Sequence, residues 1–588
     1  MYLGLQNLII LNGLIILKNL NFFSMKFLLL IILLSFNTYS QEIITGKTVT
    51  AKDSMIVTRH FLASEVGNNV LLNGGNAVDA SVAIAFALAV VLPQAGNIGG
   101  GGFMVYYDAT LNSFHALDYR EQAPAAAYED MFIRDGKVDR NLAIQSYLSS
   151  GVPGSVHGLY EAHKRFGSLP WKDLILPAID LANKGFTVTK TLADSLQSNA
   201  AKLSATADGR KIFFRNNQPL AEGDLLVQKD LANTLRLISS FGADGFYKGL
   251  TAKKIETDMK NNDGLITMSD LSKYSSKFRE PIKFNYKDLQ IITMPPPSSG
   301  GLLIQLIFQL LELNQLDTNN PDNPRNLLLI SEILQIAYSI RSEFLGDPDF
   351  YDVPFKSFND EEIIANLNNL INRENTSTPD SYLPSEYIFK ENTTHFSVAD
   401  KFGNLVSNTT TLNTAFGSGV VIKNSGVLMN NEMDDFSAAP GEPNYFGLLG
   451  NEANKIEPFK RPLSSMTPTI VFKNNKPLLV TGAQGGSRII TAVMHIILNF
   501  YEYALTAEES VYKSRYHHQW LPNKLYFEKD VYETFDDELL SRLEALGFTL
   551  EERETNGITA SIMFNEDGLT GVSDNRSADY LTIGVNYE

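Results

Sequence analysis

The chain has 588 residues, 44% of them hydrophobic and 20% charged, which is enough apolar material for a large core and too little bias for extensive disorder. A formal net charge of -17 argues against nucleic acid or an anionic membrane as partner, since both demand basic patches, and leaves small molecules as the expected partners. Cysteine is absent, so disulfides, thiol nucleophiles and cysteine-ligated metal sites are excluded.

At the amino end, Met25-Lys26 precedes an apolar run from Phe27 to Leu34 and then Thr38-Tyr39-Ser40-Gln41. The pattern predicts a signal peptide over residues 1–40, cut after Ser40, with Met25 as the initiator and export to a periplasm or the medium. The run is too short to span a bilayer; an anchoring helix over Met1–Leu34 is the alternative. Thr58 to Asn73 carries apolar residues at helical spacing and stops at Gly74-Gly75. Asn76 to Leu92 is apolar almost all round and predicts a buried helix ended by Pro93. Gly99 to Gly102 then leads into a strand, Phe103 to Tyr107, and four glycines between two buried elements predict close backbone approach. A following strand ends at Arg120, which reads either as a structural ion-pair partner or as a bidentate clamp for a carboxylate.

From Leu142 to Lys287 the pattern reads as mainly helical; Met294-Pro295-Pro296-Pro297-Ser298-Ser299 is a rigid loop into a helix at Leu302–Leu313, and Glu332–Leu345 is another helix. Residues 359–392 turn polar and read as a linker that ends at Thr393. A threonine hydroxyl is a weak nucleophile unless a base stands beside it, and an amino-terminal threonine carries that base as its own α-amine. A cut between Asn392 and Thr393 would therefore create a catalytic centre. His395–Asp400 and Leu405–Asn413 form a hairpin; a three-residue loop with Gly403 left-handed sets Thr393 opposite Thr411, whereas a two-residue loop pairs it with Leu412. Downstream, a strand, the turn Gly482-Ala483-Gln484-Gly485-Gly486-Ser487 and a helix from Ile489 to Tyr501 form either a plain turn or a donor site for an oxyanion. A helix at Phe535–Leu546 and a hairpin around Glu566-Asp567-Gly568 close the chain. No HExxH or GxSxG occurs, His517-His518 reads as structural, and Gly46-Lys47-Thr48 lacks the glycine a phosphate loop needs at position 41.

Long runs then resemble the γ-glutamyltransferases of the N-terminal nucleophile hydrolase superfamily: GGNAVDASVAIAFAL from Gly74, GNIGGGGFMVYYDA from Gly96, LDYREQAP from Leu117, MPPPSSGG from Met294, RSEFLGDPDF from Arg341, TTHFSVADKFGNLVSNTTTLNTAFGSG from Thr393, MNNEMDDFSA from Met429, KRPLSSMTPTIV from Lys460, TGAQGGSRIIT from Thr481 and YHHQWLP from Tyr516. The resemblance implies an α+β fold, a four-layer αββα sandwich, and self-cleavage into a large subunit (41–392) and a small subunit (393–588) that stay together as a heterodimer. It implies γ-glutamyl transfer from glutathione and other γ-glutamyl compounds to water or to amino-acid and dipeptide acceptors, with no metal or organic cofactor. By position it makes Thr393 the nucleophile, Thr411 the hydroxyl that orients it, and Gly485 and Gly486 the oxyanion donors. Arg120, Ser464 and Ser465 would hold the glutamyl α-carboxylate, and Asn413, Glu432 and Asp435 its α-ammonium. Two departures stand out: Phe446, with Tyr445 one place earlier, replaces the tyrosine that many bacterial members carry in the loop Pro440–Gly450, so that a phenol hydrogen bond closing the lid is missing or displaced, and Glu432 stands where some relatives have glutamine. The competing readings are a cephalosporin or glutaryl acylase of the same superfamily, which needs no α-amino group, and an unprocessed binding protein.

Overall fold

The computed structural model describes residues 41–378, 393–439, 441–528 and 535–587. The expected signal peptide, Asn392 and Pro440 lie outside them. Residues Ile44–Val585 form the body, and the chain ends make a small unit of their own, in which Asn586 Nδ2 donates to Glu42 Oε2 at 2.7 Å.

The first body strands are β1 (Thr48–Ala51) and β2 (Ser54–Thr58), followed by helices α1 (Phe61–Leu72) and α2 (Ala77–Val91). Thr58 thus closes a strand instead of opening a helix, and His60 caps α1 by accepting from Leu62 N. Asn76 caps α2, with Asp79 completing a capping box. Next come β3 (Gly101–Asp108), β4 (Ser113–Tyr119), β5 (Lys277–Arg279), β6 (Ile282–Tyr286) and β7 (Leu289–Thr293), then α3 (Gly300–Glu312) and α4 (Pro324–Phe344). The helical reading from Leu142 therefore fails over its last stretch: Ile282, Phe284 and Tyr286 alternate with Lys283 and Asn285, a period of two that buries one face of a strand.

The remaining strands are β8 (Thr393–Ala399), β9 (Leu405–Thr411), β10 (Thr469–Lys473), β11 (Lys476–Thr481), β12 (Ala483–Gln484), β13 (Ile558–Asn565), β14 (Gly568–Ser573) and β15 (Leu581–Tyr587). Helix α5 (Ile489–Ile497) stops short of the expected Tyr501 because the chain widens into a π turn over Leu498–Glu502. One sheet runs β15-β2-β8-β9-β3-β4-β5, and the other runs β6-β7-β10-β11-β13-β14-β1 with β12 also pairing β13.

Both sheets are buried on both faces, which fixes the layer order. Val57, Phe103, Val105 and Leu405 of the first sheet share one core with Ile291, Val471, Val480 and Ile562 of the second and with α3, α4 and α5. The alternate residues of the same strands, Ile56, Met104, Tyr106, Phe396, Val398 and Val406, pack with α1 and α2 in a separate core. The result is the α+β four-layer sandwich, helices outside and two sheets within. Every residue of β8 and β9 is buried, so a one-residue slip would turn both apolar sets the wrong way.

Candidate active site

The hairpin has the three-residue-loop register: Ala399 pairs with Leu405 and Thr393 with Thr411, with Gly403 at φ 86. One end of the sheet thereby collects Thr393, Thr411 and Gly101 in one row, with Tyr119 opposite Gly102. Outward-pointing carbonyls at this row are taken by side chains. Asn97 Nδ2 donates to Thr411 O at 2.8 Å, and Arg59 NH1 donates to Thr393 O at 3.0 Å. Thr393 and Thr411 are consequently a non-hydrogen-bonded pair, the arrangement that brings facing side chains closest. Their hydroxyl oxygens stand 3.3 Å apart, and Asn413 N donates to Thr411 Oγ1 at 2.8 Å. Asn413 N occupies one Thr411 lone pair, and either hydroxyl can donate to the other.

The glycine run earns its place by contact. A Cβ at Gly99 would sit 2.0 Å from Leu428 O, at Gly100 2.1 Å from Thr411 O, and at Gly102 2.3 Å from Thr409 O. Only glycine lets this loop lie against the end of β9, so the close approach expected from the sequence also fixes Thr411.

A small cavity of about 20 Å³ lies against Thr393 and Thr411 and is lined also by Arg120, Asn413, Glu432, Asp435, Ser464, Ser465 and Gly486. Nine of the ten residues expected in the catalytic and binding machinery converge here. Gly485 does not line the cavity: at φ 147 it delivers Gly486, φ 54, into the short turn before α5. The volume holds about one water. Phe446 lines it from the lid, its ring lying where a Cβ on Gly486 would meet it at 2.5 Å. The lid is tied down by Asn444 Nδ2 donating to Asp435 Oδ1 at 3.0 Å, Tyr445 N to Asp434 Oδ2 at 2.9 Å, and Gln519 Nε2 to Phe446 O at 3.1 Å.

Arg120 is the structural ion-pair partner that its sequence position allowed. It pairs with Glu432 and, at 2.5 Å, with Asp435, and its Nε donates to Pro462 O at 3.2 Å. The groups expected to hold a carboxylate and those expected to hold an ammonium are thus closed on each other. Burial works against the Arg120 charge, but Glu432, Asp435 and Glu121 raise its pKa and keep it protonated. Burial pushes the Glu121 and Glu432 carboxyls up, against the pull of Arg120.

Several polar atoms here are buried without a hydrogen bond: Ser465 Oγ, Asn413 Oδ1, Glu432 Oε2 and both oxygens of Glu121, whose Oε2 lies 3.6 Å from Arg120 NH1. Such orphans are costly unless a ligand meets them. Ser464 is placed by the proline loop, since Ser299 N and Ser299 Oγ donate to its carbonyl at 2.8 and 2.7 Å. Sequence reading did not single out Arg59, Asn97, Arg341 or Asn444. Arg341 opens the run RSEFLGDPDF, lines the cavity, and donates through Nε to Ser299 Oγ at 3.1 Å. Burial lowers its pKa to about 10, which still leaves it charged at neutral pH. Asn97 lies in the glycine run; for Arg59 no local pattern gives a signal, because its partner is 334 residues away. His517 and His518 are structural, bonded to Thr491, Gln519 and Asn523.

A solved cephalosporin acylase from Bacillus halodurans superposes with a TM-score of 0.81 over 92% of this chain and 97% of that one, at 24% identity, a likeness of fold. The crystal structure of Helicobacter pylori gamma-glutamyltranspeptidase matches at 41% identity and a TM-score of 0.53, covering 54% of this chain and 91% of that one. The glutathione hydrolase proenzyme of Escherichia coli (strain K12) is 44% identical over 541 residues, 91% of this chain and 92% of the relative. The family model described as gamma-glutamyltranspeptidase matches residues 63–583, and the chain belongs to that family of enzymes.

Proposed function

We propose that the chain is a self-cleaving γ-glutamyltransferase and glutathione hydrolase whose nucleophile is Thr393 Oγ1, exported to the periplasm or medium by residues 1–40. The observation that carries the reading is the juxtaposition of the Thr393–Thr411 hydroxyl pair with a small pocket lined by two guanidiniums, Arg120 and Arg341, two acids, Glu432 and Asp435, and polar atoms without a hydrogen bond. A zwitterionic α-amino acid head satisfies that set: its carboxylate takes Arg120 with Ser464 and Ser465, and its ammonium takes Asn413, Glu432 and Asp435. Entry of the head separates the acids from Arg120, exchanging ion pairs inside the protein for ion pairs to substrate. Holding both ends sets the γ-carbonyl over Thr393 Oγ1.

In maturation Oγ1 attacks the Asn392 carbonyl, the peptide nitrogen departs as the α-amine of Thr393, and water opens the resulting ester. The large subunit 41–392 and small subunit 393–588 remain associated. In turnover the α-amine takes the hydroxyl proton as Oγ1 attacks, and the Gly485 and Gly486 amides meet the oxyanion, a contribution of about 3–4 kcal/mol per donor. Collapse passes that proton to the departing amine of the peptide and leaves a γ-glutamyl ester. Water, or the amine of an amino acid or dipeptide, then releases it. The acylase reading gives Asp435 and Glu432 no ligand to meet beyond their pairing with Arg120, because a glutaryl group carries no ammonium. The test is Thr393→Ala: the purified variant should give one uncut band on a denaturing gel and no glutathione hydrolysis, while wild type gives two bands, one beginning at Thr393. A cut, active variant refutes the assignment.

A further inference from the structure

The ladder between β2 and β8 pairs Val57 with Ser397 and Met55 with Ala399; extended, it would set Thr393 opposite Phe61. But Phe61 begins α1, so the β2 backbone has left before it can bond Thr393. Arg59, only 7% exposed, replaces it with a side chain: NH1 donates to Thr393 O at 3.0 Å. The N–H and C=O of one extended residue leave the same edge of the strand, so the Thr393 nitrogen faces the same guanidinium at roughly 5–6 Å. Among the described residues no carboxylate lies in ion-pair contact with Arg59; Asp579 and Tyr580 act on it from further off. The Asp579 carboxylate is itself engaged, accepting from Thr189 Oγ1 at 2.8 Å.

We propose that Arg59 holds the α-amine of Thr393 as the free base by placing a buried cation on the amine's own edge of β8. The proposal rests on the reading of Thr393 as the amino-terminal nucleophile. An α-amine ordinarily titrates at about 7.7–8.0, so at neutral pH most of it is protonated and useless as a base. A like charge at this separation disfavours the ammonium form, by about one to two pH units for a partly screened site. The screening is real: a cavity of about 740 Å³ reaches Arg59 and Gln484 and is lined by Arg488, Arg553, Glu552 and Glu554. On the opposite side Arg120 is paired with both Glu432 and Asp435, and Arg341, bonded to Ser299 Oγ, feels Asp435. His60, the next residue along, adds none, since burial holds it neutral with a pKa of about 3. Arg59 is thus the cation that contacts Thr393 itself, a positioning residue that acts through Thr393.

The test uses the purified, self-cleaved enzyme. Acetylation of the Thr393 α-amine, followed by mass spectrometry as a function of pH, should give an apparent pKa about one unit or more below the ordinary α-amine value; an ordinary or higher value in wild type overturns the proposal. In Arg59→Met the acid limb of kcat/KM should move up by about one pH unit, while Arg59→Lys, which keeps the charge, should stay within a few tenths. A loss in Arg59→Met that is uniform across pH would mean that Arg59 only anchors a carbonyl, and would also overturn it. If Arg59→Met fails to mature, the wild-type titration and the lysine variant still decide. Wild type without an amino-terminal Thr393 would sink the nucleophile reading and this proposal together; a free Thr393 with an ordinary amine sinks this proposal alone.

Discussion

Asp435→Asn separates a γ-glutamyl enzyme from an acylase more sharply than any change to the nucleophile. The carboxylate has two partners, Arg120 NH2 at 2.5 Å and the lid amide Asn444 Nδ2 at 3.0 Å. Asparagine keeps the shape and one acceptor oxygen, so the lid bond survives in one rotamer, while the charge and the bond from Arg120 are lost. Arg120 keeps Glu432, which limits damage to the free enzyme. In the complex, a charge-assisted hydrogen bond to the substrate ammonium becomes a neutral one, a loss of about 1.5–3 kcal/mol, equivalent to about a 10- to 150-fold fall in kcat/KM. A glutaryl anilide has the same reacting carbonyl and no ammonium, so its hydrolysis should hold or rise. The assay is kcat/KM for γ-glutamyl and glutaryl p-nitroanilides on wild type and variant, reported as the ratio of the two. Equal falls for both substrates, or an unchanged ratio, would refute the idea that Asp435 reads the α-ammonium.

Gly100→Ala places a methyl 2.1 Å from Thr411 O, so backbone must shift and the hydroxyl pair separates; the cost is about 1–3 kcal/mol of stability, and self-cleavage on a denaturing gel should slow by far more than the melting temperature suggests. Asp434 is buried, and burial lifts its carboxyl to about 7 from an ordinary 3.8. A raised acid binds its proton more tightly when folded, so the native state loses stability as pH rises from about 4 to 7 and stays lower above that. Asp434→Asn, still able to accept from Tyr445 N, should therefore raise the melting temperature above pH 7, by on the order of 2–4 kcal/mol of stability, and leave it nearly unchanged near pH 4. Parallel melting curves of the two proteins across that range would contradict this account of Asp434.

Local pattern in the sequence was enough for the elements that depend on near neighbours. Alternation over β8 and β9, with Gly403 able to take φ 86, allowed only two hairpin registers and so brought Thr411 within one residue of its place. The close approach of Gly99 to Gly102 was legible for the same reason: a missing Cβ leaves few alternatives. The segment at Ile282–Tyr286 was misread where a short period of two was absorbed into a long helical neighbourhood. Resemblance to known sequences supplied residues for the pocket, but not their present state, in which Arg120 is closed on Glu432 and Asp435 and Phe446 lies over Gly486. What only tertiary structure decided are contacts between residues hundreds of positions apart. Arg59 meets the Thr393 carbonyl and Asn97 the Thr411 carbonyl because two strands end early and leave carbonyls that a side chain must satisfy. The sequence by itself pointed to Thr393 as the expected nucleophile; the packing of strand ends decides which charges surround it, since electrostatic effects follow distance through the fold and not along the chain.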